Sequence, residues 1–288
     1  MKILVNNDLT LNFPPINFFL ELISNKKYFK FCKINHSFWE MLIGKEPWKS
    51  RFLTLHSKDF IQECLYTLKN MSKETMLGIG PNLDYVQKKI EDTPDSTIKL
   101  SADPEVIKTI KETIGDRDLF LGTIWKHYTL NNKIDKFFIE IKRNPVVVVG
   151  LSHLKNLEYR FGFIHYKINI DADKNKEKIL VDLENFRAKF DSPITFLFQA
   201  GEILSLWLIN NLNLQNANLI DMGRSLDYFC GKIEFSEEDK FIYQKKVKDA
   251  SDDLVPKTAD KERTLDNHFP DKNDQLWQKK VKIYKKLF

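Results

Sequence analysis

Val146-Val147-Val148-Val149 narrows the possible folds more than any other segment. Four β-branched residues in a row, set between Asn144-Pro145 and Gly150, leave no polar face. That is the pattern of a strand covered on both sides, as in a parallel sheet. The segments that follow share the logic. Residues 164–170 and 194–199 read as strands, 177–190 as a helix, 203–212 as a long apolar helix, and 218–223 as a fourth strand ending in a turn. Strand and helix alternate from Val146 to Gly223, which predicts an α/β fold: a mainly parallel sheet with flanking crossover helices.

The first half supports the same class. A proline opens a helix over 15–24, where Ile16, Phe19, Leu20 and Ile23 share one face. Residues 28–34 alternate like a strand, and Asn35-His36-Ser37 stand in cap positions before a helix beginning at Phe38. Further helices are expected over 57–71, 86–90, 103–114 and 134–142, with a short strand over 76–80. Residues 120–128 fit either strand or helix, and no fixed-period repeat is present.

Length and composition set outer bounds. The 288 residues, 42% of them hydrophobic, can bury a sizeable core in one large or two small domains. No apolar run approaches the 18 residues of a membrane-spanning helix, and 10 glycines and 10 prolines exclude collagen-like and low-complexity classes. Three cysteines, Cys32, Cys64 and Cys230, share no metal-ligand spacing and point to a reduced, cytoplasmic setting, and residues 1–15 show no signal-peptide pattern. Beyond Gly231 the chain turns polar, with a loose stretch over 249–274. The expected organisation is a catalytic domain over 1–231 and a polar extension over 232–288.

Ligands of open parallel sheets bind at the carboxyl ends of the strands. Four candidate places fall there: Gly150; Gln199-Ala200-Gly201-Glu202; Asp221-Met222-Gly223-Arg224; and Asn35-His36-Ser37. The Ala200-Gly201 step before a helix lets a phosphate or ribose approach free backbone N–H groups, although a plain strand-to-helix turn has the same look. Asp221 and Asp227 suit a metal, a ribose or a general base, and equally a turn cap and a helix start. Phosphate-binding and dinucleotide fingerprints, metalloprotease motifs and the nucleophile elbow are all missing. His36 is the best placed of the six histidines; His127, His153 and His165 read as structural.

Taken in order, three blocks resemble the GT-D type glycosyltransferases. The first is the helix around Phe18-Phe19-Leu20-Glu21-Leu22-Ile23 with the strand ending at Lys33-Ile34. The second is 194–202, an apolar strand ending in Ala-Gly. The third and most specific is Ile220-Asp221-Met222-Gly223-Arg224-Ser225-Leu226-Asp227, similar to the family's Ile-Asp-Ile-Gly-Ser-x-Leu-Asp. The resemblance implies a Rossmann-like GT-D architecture and transfer of a sugar from a nucleotide-sugar donor, a UDP-sugar by analogy, to a hydroxyl of a glycan. Asp227 would be the base, Asp221 would organise the turn or the donor, and Lys33, His36, Gly150, Gly201, Glu202 and Gly223 would bind the donor.

Where the family carries Gly-Asp-Gly-Glu, this chain reads Asn35-His36-Ser37-Phe38, without the two acids of the donor and metal site. Three arrangements stay open. Lys33 and His36 replace the metal; a divalent cation, manganese or magnesium, is held elsewhere, with Glu40 as a substitute ligand; or the protein is a non-catalytic module that binds a sugar nucleotide or a partner transferase.

The net charge of +5 is concentrated at the end of the chain, where 278–288 holds five lysines and no acid. Trp277, Val281, Tyr284 and Phe288 fall on one face of a terminal helix. A packed stripe with solvated lysines is the plain expectation. A peripheral contact with the inner membrane face would suit a lipid-linked acceptor. A nucleic-acid acceptor is the less favoured partner.

Overall fold

The computed structural model describes residues 1–43, 57–80, 97–169 and 171–230. The helix expected over 86–90, the whole extension over 232–288 and its terminal basic helix lie outside the described residues.

The described residues build an α/β fold around one ten-stranded mixed sheet. Its strands are β1 (Lys2–Val5), β2 (Leu9–Asn12), β3 (Lys30–Asn35), β4 (Met76–Gly80), β5 (Ile98–Leu100), β6 (Leu119–Leu121), β7 (Val146–Gly150), β8 (Ile164–Lys167), β9 (Ile194–Gln199) and β10 (Ala217–Asp221). Their order is β5-β1-β2-β6-β4-β3-β10-β9-β7-β8. Only β1 and β2 pair antiparallel; every other neighbour pair is parallel. Eight strands, from β2 to β8 across the sheet, therefore point their carboxyl ends the same way.

The valine strand sits at the heart of the second half, paired with β9 on one side and β8 on the other, and all five of its residues are buried. Helices cover both faces. The helix Glu202–Asn211 packs on β3 and β10 and touches Lys58–Lys69 and Lys176–Arg187. Seven consecutive residues of it, Ile203 to Ile209, are buried, which explains its lack of a polar stripe. A second set contains Ile16–Ser24, Ile124–Leu130 and Ile134–Ile141. Here the phenylalanine wealth is spent: Phe19, Phe31, Phe137 and Tyr128 surround Trp125, all with ring centroids within 6 Å of it. Successive β3 residues serve opposite layers, Phe31 meeting Trp125 while Cys32 accepts a hydrogen bond from Asn210 of the other layer.

Several expectations need adjustment. Residues 120–128 are both things in turn, strand β6 and then, after Gly122-Thr123, the helix Ile124–Leu130. The strand expected over 164–170 ends at Lys167, and the one over 28–34 starts at Lys30. The β1–β2 hairpin, β5 and the helical turns over 152–161 are additional. The hairpin closes through Asn6 and Asn7, both at positive φ, a conformation asparagine tolerates better than most residues, and the Asn6 side chain reaches across to bond both the N–H and the C=O of Ala102.

Candidate functional site

The candidate side chains lie at the common carboxyl edge of the eight strands. The chain leaves β7 outward to β8 but leaves β9 inward to β10, so connections diverge between β7 and β9. Such a point is where parallel sheets take ligands. β10 and β3 end side by side further along the same edge. The side chains singled out above separate into two groups at these strand ends.

The first group gathers Lys33, Asn35, His36, Glu202, Asp221 and Gly223 at the ends of β3 and β10 and the start of the Glu202–Asn211 helix. Gly201 holds φ +82°, and no atom lies within 4 Å of the place its Cβ would take, so the backbone ahead of the helix is open to approach. Glu202 Oε2 accepts from the Asn35 N–H at 2.9 Å, while Oε1 is buried without a hydrogen bond. Asp221 is 1% exposed; its Oδ1 accepts from the Gly223 N–H at 2.8 Å, and its Oδ2 makes no hydrogen bond. Lys33 lies across Gly223. A Cβ there would stand 2.0 Å from Lys33 Nζ and 2.3 Å from its Cε, so a side chain would push the end of Lys33 aside, and the φ of +49° favours glycine.

Burial dominates the electrostatics of the two acids. It raises Glu202 above its ordinary value against the bond from Asn35 and the charges of Lys33 and His36. It pushes Asp221 up to about 7, with Lys33 opposing and Glu202 adding to the rise. Among the described residues, the Lys33 ammonium makes neither a hydrogen bond nor an ion pair.

The second group is closed. Asp227, fully buried at the start of the short helix Asp227–Cys230, accepts at Oδ1 from Gln199 Nε2 and faces His153 Nε2 at 3.0 Å; Oδ2 accepts from Arg224 Nε at 3.3 Å. Burial works against its charge. The His153 hydrogen bond, the Arg224 guanidinium and the Gln199 amide more than offset this and hold its carboxyl below the ordinary value. Both oxygens are thus engaged, and the carboxylate stays ionised. Gly150 serves packing at the same strand ends, since its missing Cβ would meet Leu154 Cδ1 at 2.3 Å and the Gln199 carbonyl at 2.9 Å.

Among the described residues no three His, Cys, Asp or Glu side chains come together as a ligand set. Glu40, the substitute ligand considered above, buries Oε2 without a hydrogen bond but completes no such set. Phe38, in the position of the second missing acid, is fully buried against Trp39.

Gln199, Arg224 and Asn35 fall in segments that the sequence marks as candidate strand ends, but their pairings with Asp227 and Glu202 were not expected, and His153 was read as structural. The signal for His153 was present: it follows the valine strand by three residues, on the connection that diverges from β9. A cleft of about 730 Å³ lies elsewhere, at the amino ends of β3 and β10, lined by Tyr28, Lys30, Tyr66 and Trp207. No helix among the described residues is long and apolar enough to cross a membrane. No protein-family model, curated protein or solved structure matches the chain.

Proposed function

We propose that the protein is a glycosyltransferase of GT-D type that moves a sugar from a nucleotide donor, a UDP-sugar by analogy, to a glycan hydroxyl. The observation that carries this reading is Asp221: a buried acid poised near neutral pH, with one free oxygen, beside the unpaired Lys33 ammonium at the carboxyl edge of a parallel sheet. A general base works best with a pKa near the working pH. Asp227, the base implied by the resemblance, is engaged at both oxygens, so it serves here to hold His153, Gln199 and Arg224 in place.

In the reaction, the acceptor hydroxyl oxygen bonds to the anomeric carbon of the donor as its proton passes to Asp221 Oδ2. The bond from that carbon to the diphosphate oxygen breaks, and its electron pair leaves with the diphosphate. Gly201 and Gly223 give the donor close access to the backbone, while Lys33 supplies positive charge and His36 a hydrogen bond. A glycan is the acceptor class proposed.

Release of UDP from a panel of UDP-sugars with glycan acceptors tests the reading. Asp221→Asn is expected to lower kcat at least 100-fold, at the lower end of what a positioned base contributes. It keeps the oxygen that accepts from Gly223, and circular dichroism should be unchanged. Undiminished turnover in that variant would remove the assignment. Nucleotide binding by the wild type without turnover on any acceptor would point instead to a non-catalytic, sugar-nucleotide-binding module.

A further inference from the structure

Transfer from a nucleotide sugar leaves one more negative charge on the departing diphosphate, and that charge needs a fixed positive partner. Resting on the reading above, we propose that Lys33 is that partner and that the protein holds the donor diphosphate without a divalent cation.

The geometry supports this in three ways. Lys33 Nζ is held over the Cα of Gly223, in the turn that follows β10, and its position is set by the missing side chain there. The same ammonium acts on Asp221 and Glu202 together, so it occupies the neighbourhood in which a cation between two acids would sit. It nevertheless pairs with neither, which leaves its charge available to an incoming anion. Burial favours the protonated form of Glu202, so its repulsion toward a diphosphate is weakened. Gly201, open beside it, brings the first N–H groups of the Glu202–Asn211 helix toward the same anion. Among the described residues no third acid, His or Cys joins Asp221 and Glu202, and Phe38 is in the core.

Calorimetric titration of the full chain with UDP, GDP, CDP and ADP, in EDTA and separately in manganese or magnesium, provides the test. At least one diphosphate is expected to bind with the same affinity in EDTA as in metal. Lys33→Gln should weaken that binding tenfold or more, and Lys33→Arg should restore part of it. Gly223→Ala, which keeps the charge but displaces the ammonium, should weaken it as well, with thermal melts confirming that the variants are folded. Binding that requires manganese or magnesium, or that is unchanged in Lys33→Gln, overturns the proposal and leaves the transferase reading standing. If no diphosphate binds in any buffer, the transferase reading itself falls.

Discussion

Asp221 and Asp227 are the same residue type six positions apart, yet their surroundings give them opposite chemistry. The tight turn Gly223–Leu226 separates them. One faces Lys33 with an oxygen to spare; the other is saturated by His153, Gln199 and Arg224. Removing one member of a buried, hydrogen-bonded charge network costs about 3–5 kcal/mol because the partners are left uncompensated. Asp227→Ala is therefore expected to lower the melting temperature by roughly 10 °C, and Asp221→Asn is not expected to lower it at pH 8. Thermal denaturation of the two variants side by side checks this, and equal destabilisation would contradict the division of roles. The strand-end position of Asp221 and the Ala200-Gly201 step were legible in the sequence because both depend on local pattern. The partners of Asp227 were not, because His153 lies 74 residues away and Gln199 28, and only the divergence of connections at β7 and β9 brings them together.

At the scale of elements, β4 and β6 approach so closely that their glycines are structural. A Cβ at Gly78 would stand 2.7 Å from the Cα of Gly122, and one at Gly122 would stand 2.8 Å from the backbone N of Gly80. Backbone cannot swing aside as a side-chain tip can, so Gly122→Ala is expected to cost about 3 kcal/mol, the upper range of overpacking. Gly162 has open space around it and only its φ of +71° to account for, so Gly162→Ala should cost about 1 kcal/mol. Denaturant midpoints for the pair measure the difference; a Gly122→Ala protein as stable as Gly162→Ala would show that the two strands can part at little cost. Elements with a clear apolar pattern were readable in advance: the valine strand, apolar on both faces, and the one-sided helices Ile16–Ser24 and Pro104–Ile114, the latter with Asp103 capping the Glu105 N–H. The β1–β2 hairpin escaped because each strand is four residues long and shows only two buried positions, too few for a period to stand out.

For the molecule as a whole, the buried titratable groups pull stability in opposite directions. Burial holds His127 down to about 4, with Lys133 adding to the effect, so the folded chain resists a proton that the unfolded chain takes up below 6.5. This contribution is complete above pH 6.5 and is lost as pH falls toward 4. Asp221 behaves in reverse. Its folded value of about 7 exceeds the ordinary 3.8, so the folded chain keeps a proton that the unfolded chain has released, and stability falls as pH rises through that window. The two partly cancel between pH 4 and 7, which predicts a shallow pH dependence for the wild type there. Asp221→Asn removes the falling limb. Its melting temperature relative to wild type should be near zero difference at pH 4 and climb by several degrees up to pH 7.5, with an upper bound on the order of 4 kcal/mol for a shift of this size. A constant offset across the range would mean that Asp221 titrates at its ordinary value, and with it the case for a base poised near neutrality would be lost. A site acid that lowers stability at neutral pH is what a fold retains for chemistry rather than for its own maintenance.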